Sequence, residues 1–124
     1  MAPGDKELLF KDICARLPYG VKVDAVFINP DTKERKSCGI EVFDATSILM
    51  IRDGLGEFKP YLFPLTNMTE EQSKIYHELI RGMLGTSALI NFEALEEFFH
   101  KNHIDYRGLV PMGLAIDATG LNIY

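Results

Sequence analysis

The sequence predicts a single α+β domain. Three observations carry that reading. Thr69-Glu70-Glu71-Gln72 is a capping box, followed by Ile75, Tyr76, Leu79, Ile80, Met83 and Leu84 at helical spacing. Val21–Ile28 and Arg35–Phe43 alternate as strands do, with turn residues Asn29-Pro30-Asp31-Thr32 between them. Leu9, Phe10, Ile13, Cys14 and Leu17 recur at helical spacing before Pro18 stops them. The expected order is an N-terminal helix, an antiparallel meander of three to four strands, two further helices and short C-terminal strands. Residues 1–5 read as a flexible lead and 6–124 as one domain.

The first helix is expected over about Lys6–Arg16, with Asp5 as its cap and with Lys6, Lys11, Asp12 and Arg16 off the apolar stripe. Two strands follow, and the second places Cys38, Ile40 and Val42 on one face. Asp44-Ala45-Thr46 reads as a turn into a third, more deeply buried strand, Ser47–Arg52. Glu57–Leu65 contains Pro60 and Pro64, so it is expected at a sheet edge. The second helix should run over about Glu70–Leu84 and stop at Gly85. The third, about Phe92–Lys101, is capped by Asn91 and turns Phe92, Leu95, Phe98 and Phe99 inward. Leu114–Asp117 and Leu121–Tyr124 are expected as the short strands of the tail.

The chain has 124 residues, 47% of them hydrophobic and 25% charged, which is ordinary globular usage. A formal net charge of −5 argues against bulk capture of DNA or RNA, where affinity grows with the number of phosphates neutralised. It leaves room for one small anion held by a few local cations. The longest apolar run, Ile48–Ile51, is far too short to span a membrane. The start Met1-Ala2-Pro3-Gly4-Asp5-Lys6 lacks the apolar core of a signal peptide, and Cys14 and Cys38 form no disulfide framework. These features lead to the expectation of a reducing cytoplasm.

No catalytic signature emerges. The glycines match neither a P-loop nor a dinucleotide fingerprint. His77, His100 and His103 lack the spacing of a metal site, so no metal or cofactor is expected. The candidate residues are cation–ring clusters instead. Arg16 and Tyr19 close the first helix, and they read either as a helix stop or as an anion fork beside a stacking ring. Lys59-Pro60-Tyr61 reads as a rigid connector or a ligand-binding edge. Asp105-Tyr106-Arg107-Gly108 either stitches the tail, Asp105 pairing with Arg107, or grips an anionic ring-bearing ligand.

These clusters lie within three longer stretches: Lys6–Val21, Lys59–Leu62 through Met68–Glu71, and Asp105–Val110 with Gly113-Leu114-Ala115. Together the stretches resemble a group of small proteins of phages and prophages of gut Bacteroidales. The central strands, Lys22–Phe58, match that group poorly. The resemblance implies a phage accessory protein, a class that often counters host defence, in some cases by sequestering nucleotide signals without cleaving them. It brings no catalytic residues with it. The expected function is therefore non-enzymatic binding of a small anionic ligand, such as a nucleotide immune signal, by Arg16, Tyr19, Lys59, Tyr61, Asp105, Tyr106 and Arg107. A protein–protein module acting on a host or phage protein is the alternative, and a small hydrolase comes third. A homo-oligomer fits the first two.

Overall fold

A computed structural model describes residues 4–82 and 88–124, and side chains from residue 92 onward in the second stretch. Its elements run α1 (Asp5–Ala15), β1 (Lys22–Ile28), β2 (Arg35–Val42), α2 (Ala45–Arg52), β3 (Gly56–Pro64), α3 (Glu70–Gly82), α4 (Ala88–Lys101), β4 (Ile104–Asp105) and β5 (Ile116–Asp117). The mixed α+β character is as the sequence indicates. The order of the sheet is not a simple meander: it runs β2-β1-β3-β4, with β5 also pairing with β3. β1 pairs antiparallel with both β2 and β3, whereas β4 and β5 lie parallel to β3.

The expected third strand is a helix. Asp44 accepts a hydrogen bond from Ser47 N at 3.1 Å, and Ser47 Oγ accepts one from Asp44 N at 3.2 Å, so a capping box opens α2. Ile48-Leu49-Met50-Ile51 is a short apolar run, and such a run has no period that separates a buried strand from a helix. The residues read as a turn are in fact a helix cap.

Glu57–Leu65 is not an edge. As β3 it is the central strand, flanked by β1 on one side and by β4 and β5 on the other. Ile28 N–H donates to Leu55 O, so residues 57, 59 and 61 direct their backbone groups to β1. Pro60 sits between them with its nitrogen turned away from β1, one residue before β5 pairs with Tyr61. The missing N–H therefore costs no ladder bond.

Other boundaries shift less. Asp5 is the first residue of α1, not its cap; Gly4 holds the cap position in a left-handed conformation. The capping box of α3 forms, with Gln72 N donating to Thr69 Oγ1 at 3.1 Å and Thr69 N donating to Gln72 Oε1 at 3.0 Å. Met83, Leu84 and the Gly85 stop lie outside the described residues. α4 starts at Ala88, which puts Asn91 inside the helix, and Phe92 is 46% exposed instead of inward. Leu121–Tyr124 forms no strand, while Ile104–Asp105 does.

Two apolar clusters result. The larger joins Ile13, Val21, Val23, Ala25, Phe43, Phe58, Leu62, Leu109 and Leu114 around β1 and β3. The smaller joins Leu95, Phe98, Phe99 and Ile104, with Tyr76, Leu79 and Tyr106 against it. Among the described residues, no helix is long and apolar enough to cross a membrane.

Candidate functional site

Asp12 and Arg16 stand one helical turn apart on α1, the separation at which side chains meet. Both are fully buried, not on the solvent side of the helix. Arg16 Nε donates to Asp12 Oδ2 at 2.8 Å, and Nη2 donates to Asp12 Oδ1 at 3.2 Å and to the carbonyl of Ile104 at 2.7 Å. Nη1 reaches the carbonyl of Phe99 at 3.5 Å. Arg107, mostly buried, donates from Nε to Asp12 Oδ1 at 3.0 Å. The Asp12 carboxylate thus ties α1 to the tail through Arg107, and the Arg16 it holds in place reaches the end of α4. The Arg16 guanidinium is consumed inside the fold.

Tyr106 lies against both arginines, its ring centroid 5.5 Å from the Arg16 guanidinium carbon and 5.0 Å from that of Arg107. Phe99 stacks on it at 4.8 Å. Its hydroxyl meets His100 Nε2 at 2.9 Å. Burial raises the Tyr106 pKa, and burial together with the Arg16 charge lowers that of His100. The neutral pair is favoured. Tyr19 touches this cluster only at its margin, 6.4 Å from the His100 ring.

Asp105 is buried and does not pair with Arg107. Its two carboxylate oxygens accept the backbone N–H groups of Leu109 and Val110, each at 2.8 Å. It acts as a clamp on the turn that follows β4.

A second polar knot closes the other end of the sheet. The ladder between β1 and β3 ends at Val23 and Pro60. Beyond it, the Tyr124 hydroxyl stands in for the next direct bond: it accepts from Lys22 N at 2.8 Å and donates to the carbonyl of Tyr61 at 2.7 Å. Lys22 Nζ also donates to the carbonyl of Ile123. Burial pushes the Tyr124 hydroxyl up to about 12. Its ring stacks on His103 at 3.6 Å.

His103 has a buried Nδ1 with no hydrogen-bond partner among the described residues. Burial, with the Arg16 and Lys22 charges, brings its pKa down from 6.5 to about 4. Between those values the unfolded chain binds a proton that the folded chain refuses, so stability is full above about pH 6.5 and falls as the pH drops towards 4. His103→Asn, which tolerates the left-handed backbone there (φ 57°), is expected to flatten that dependence in urea titrations at stepped pH. The slope that remains belongs to His100 and, towards the acid end, to carboxyls held below their ordinary range by arginine partners, Glu57 and Asp53. An undiminished slope in the variant would count against this assignment.

Lys59 belongs to a different place. A groove of about 740 Å³ is lined by Leu9 and Phe10 of α1, Val26 and Ile28 of β1, and Phe58 of β3. Three basic side chains, Lys6, Arg35 and Lys59, line it together with the acids Asp24 and Glu57. Arg35 and Glu57 form an exposed bidentate ion pair. The hydrogen bond from Arg35 chiefly holds the Glu57 carboxyl below its ordinary range, and the Lys6 and Lys59 charges act in the same direction. The lining is thus locally positive in a chain of net charge −5. Tyr61 is buried and lies outside this lining.

The structure accordingly brings Arg16, Tyr106 and Arg107 together, sets Tyr19 beside them, and puts Lys59 in the groove. Asp12 and Lys6 were not among the candidate residues of the sequence, and His100 was weighed there as a metal ligand. Asp12 carried one usable signal, its place four residues ahead of Arg16 on a helix. Among the described residues, no three His, Cys, Asp or Glu side chains are grouped to hold a metal ion.

The chain matches no family model, no curated protein and no solved structure.

Proposed function

We propose that this protein binds a small anionic ligand with an apolar or ring-bearing part, such as a nucleotide, in the groove beside α1, and holds it without turnover. The groove supports this reading. Its volume, about 740 Å³, suits a nucleotide-sized molecule, and ligand sites typically combine apolar walls with a few placed polar groups. Phe10 and Ile28 offer apolar contact to a base, while Lys6 and Lys59 offer charge to a phosphate. Arg16 is spent on Asp12 and two carbonyls, so the anion contact moves from the helix exit to the groove. On the resemblance drawn above, such binding would serve a phage accessory role in the host cytoplasm, withholding a nucleotide signal from host defence.

The test is to incubate the purified protein with cyclic and linear nucleotides, follow thermal shift, then denature it and identify the released molecule by mass. Stabilisation with intact recovery is expected. Lys59→Ala and Lys6→Ala are each expected to weaken binding roughly tenfold, the scale of one charge-assisted contact. An altered molecule on release would point to an enzyme, and no shift with any nucleotide would remove this reading.

A second reading, a protein–protein module, is favoured by the surface of α3 and α4. α3 has no fully buried residue, and Ile75, Ile80 and Phe92 are between 37% and 46% exposed. One stoichiometric partner, lost on Ile75→Glu, would favour it.

A further inference from the structure

We propose that β2 pairs with the β2 strand of a second copy of this chain, antiparallel about a two-fold axis between Cys38 and Gly39. The two sheets then become one. β2 ends the sheet, and all eight of its residues are exposed, Ile40 and Val42 by about half. An edge of this kind presents a row of backbone donors and acceptors that will template another strand.

The backbone alternation fixes which groups point outward. Phe43 N donates to Val21 O, and Asn29 N donates to Glu34 O, so odd-numbered residues of β1 exchange bonds with β2. Their partners Glu41, Gly39 and Lys36 turn their backbone groups inward. Arg35, Ser37, Ile40 and Val42 turn theirs outward, the parity changing at the bulge between them.

One register satisfies this pattern along the whole strand. It sets Arg35 against Val42 and Ser37 against Ile40 of the second copy, so every outward residue meets an outward residue. The same register sets Lys36 directly opposite Glu41, and symmetry repeats the pair. Opposite charges across a ladder attract, and these two lie on the same face of the sheet. A register centred on Glu41 would instead oppose two carboxylates. A bulge ordinarily protects an edge by kinking it, but here it falls on the axis, where each kink faces its own image.

Sedimentation velocity across the micromolar range tests the pairing. The unmodified chain is expected to dimerise. Lys36→Glu and Glu41→Lys each turn two attractions into two repulsions and are expected to weaken the dimer roughly tenfold or more. The double variant, K36E with E41K, restores both pairs with exchanged signs and should recover the dimer. Both side chains are exposed, so at concentrations low enough for the parent to be monomeric the thermal melts of the variants should match it. A chain monomeric throughout, singles that dimerise normally, or a double variant that stays weakened would each overturn the proposal.

Discussion

Replacing Asp12 with alanine is expected to cost about 3–5 kcal/mol of folding stability, the scale of breaking a buried ion pair from one side. The carboxylate is fully buried and accepts from Arg16 Nε, Arg16 Nη2 and Arg107 Nε. Its loss strands the Arg16 cation in the interior with only the carbonyls of Phe99 and Ile104. Asp12→Asn keeps one acceptor but no charge, and should also lie far below the parent. Arg107→Ala removes a partner that still reaches solvent, so its loss should be nearer about 1 kcal/mol. Urea unfolding of the three variants at neutral pH gives the comparison. Equal, small losses would mean that Asp12 is not the node of this network. Arg107→Ala should leave nucleotide binding unchanged, because Arg107 does not line the groove.

Asp105→Ala is expected to be the next most damaging change, costing about 2–4 kcal/mol, because it leaves two backbone donors unmet at once. Leu109 N and Val110 N both point at this carboxylate, and Leu109 is fully buried in the larger core. The turn it clamps also delivers Leu114 and Ala115 to that core. Asp105→Asn swaps one acceptor for a donor that faces an N–H, and should recover less than half of the loss. Denaturation midpoints decide this. An asparagine or alanine variant as stable as the parent would show that water satisfies these donors.

The helices that carry their own end signals were legible in the sequence. The Thr69–Gln72 box opens α3, and α1 ends at Ala15, just ahead of the short 3-10 turn Leu17–Tyr19 that contains Pro18. What was not legible either has an ambiguous local pattern or depends on long-range partners. Ile48–Ile51 has no period of its own, and only the mutual bonds of Asp44 and Ser47 declare it helical. Pro60 suits a central strand here solely because its nitrogen turns away from β1, a matter of register. Arg107 looked like a free anion fork because its partner Asp12 lies 95 residues away, whereas Arg16 had Asp12 one turn ahead but was read with it off the apolar stripe. The groove had no local mark either, since α1, β1, β2 and β3 each supply part of its lining. Lys59 was picked out for its neighbour Tyr61. It lies in the groove because it is paired across the ladder with Asp24.

The groove as a ligand site is tested most directly by two-dimensional amide NMR of isotope-labelled protein titrated with the nucleotide panel. Saturable shifts clustered at Lys6, Phe10, Val26, Ile28 and Lys59 are expected, abolished together in a Lys6→Ala, Lys59→Ala variant. Shifts centred on Arg16 and Arg107, or on the α3 surface around Ser73 and His77, would contradict it. So would a spectrum that no nucleotide moves.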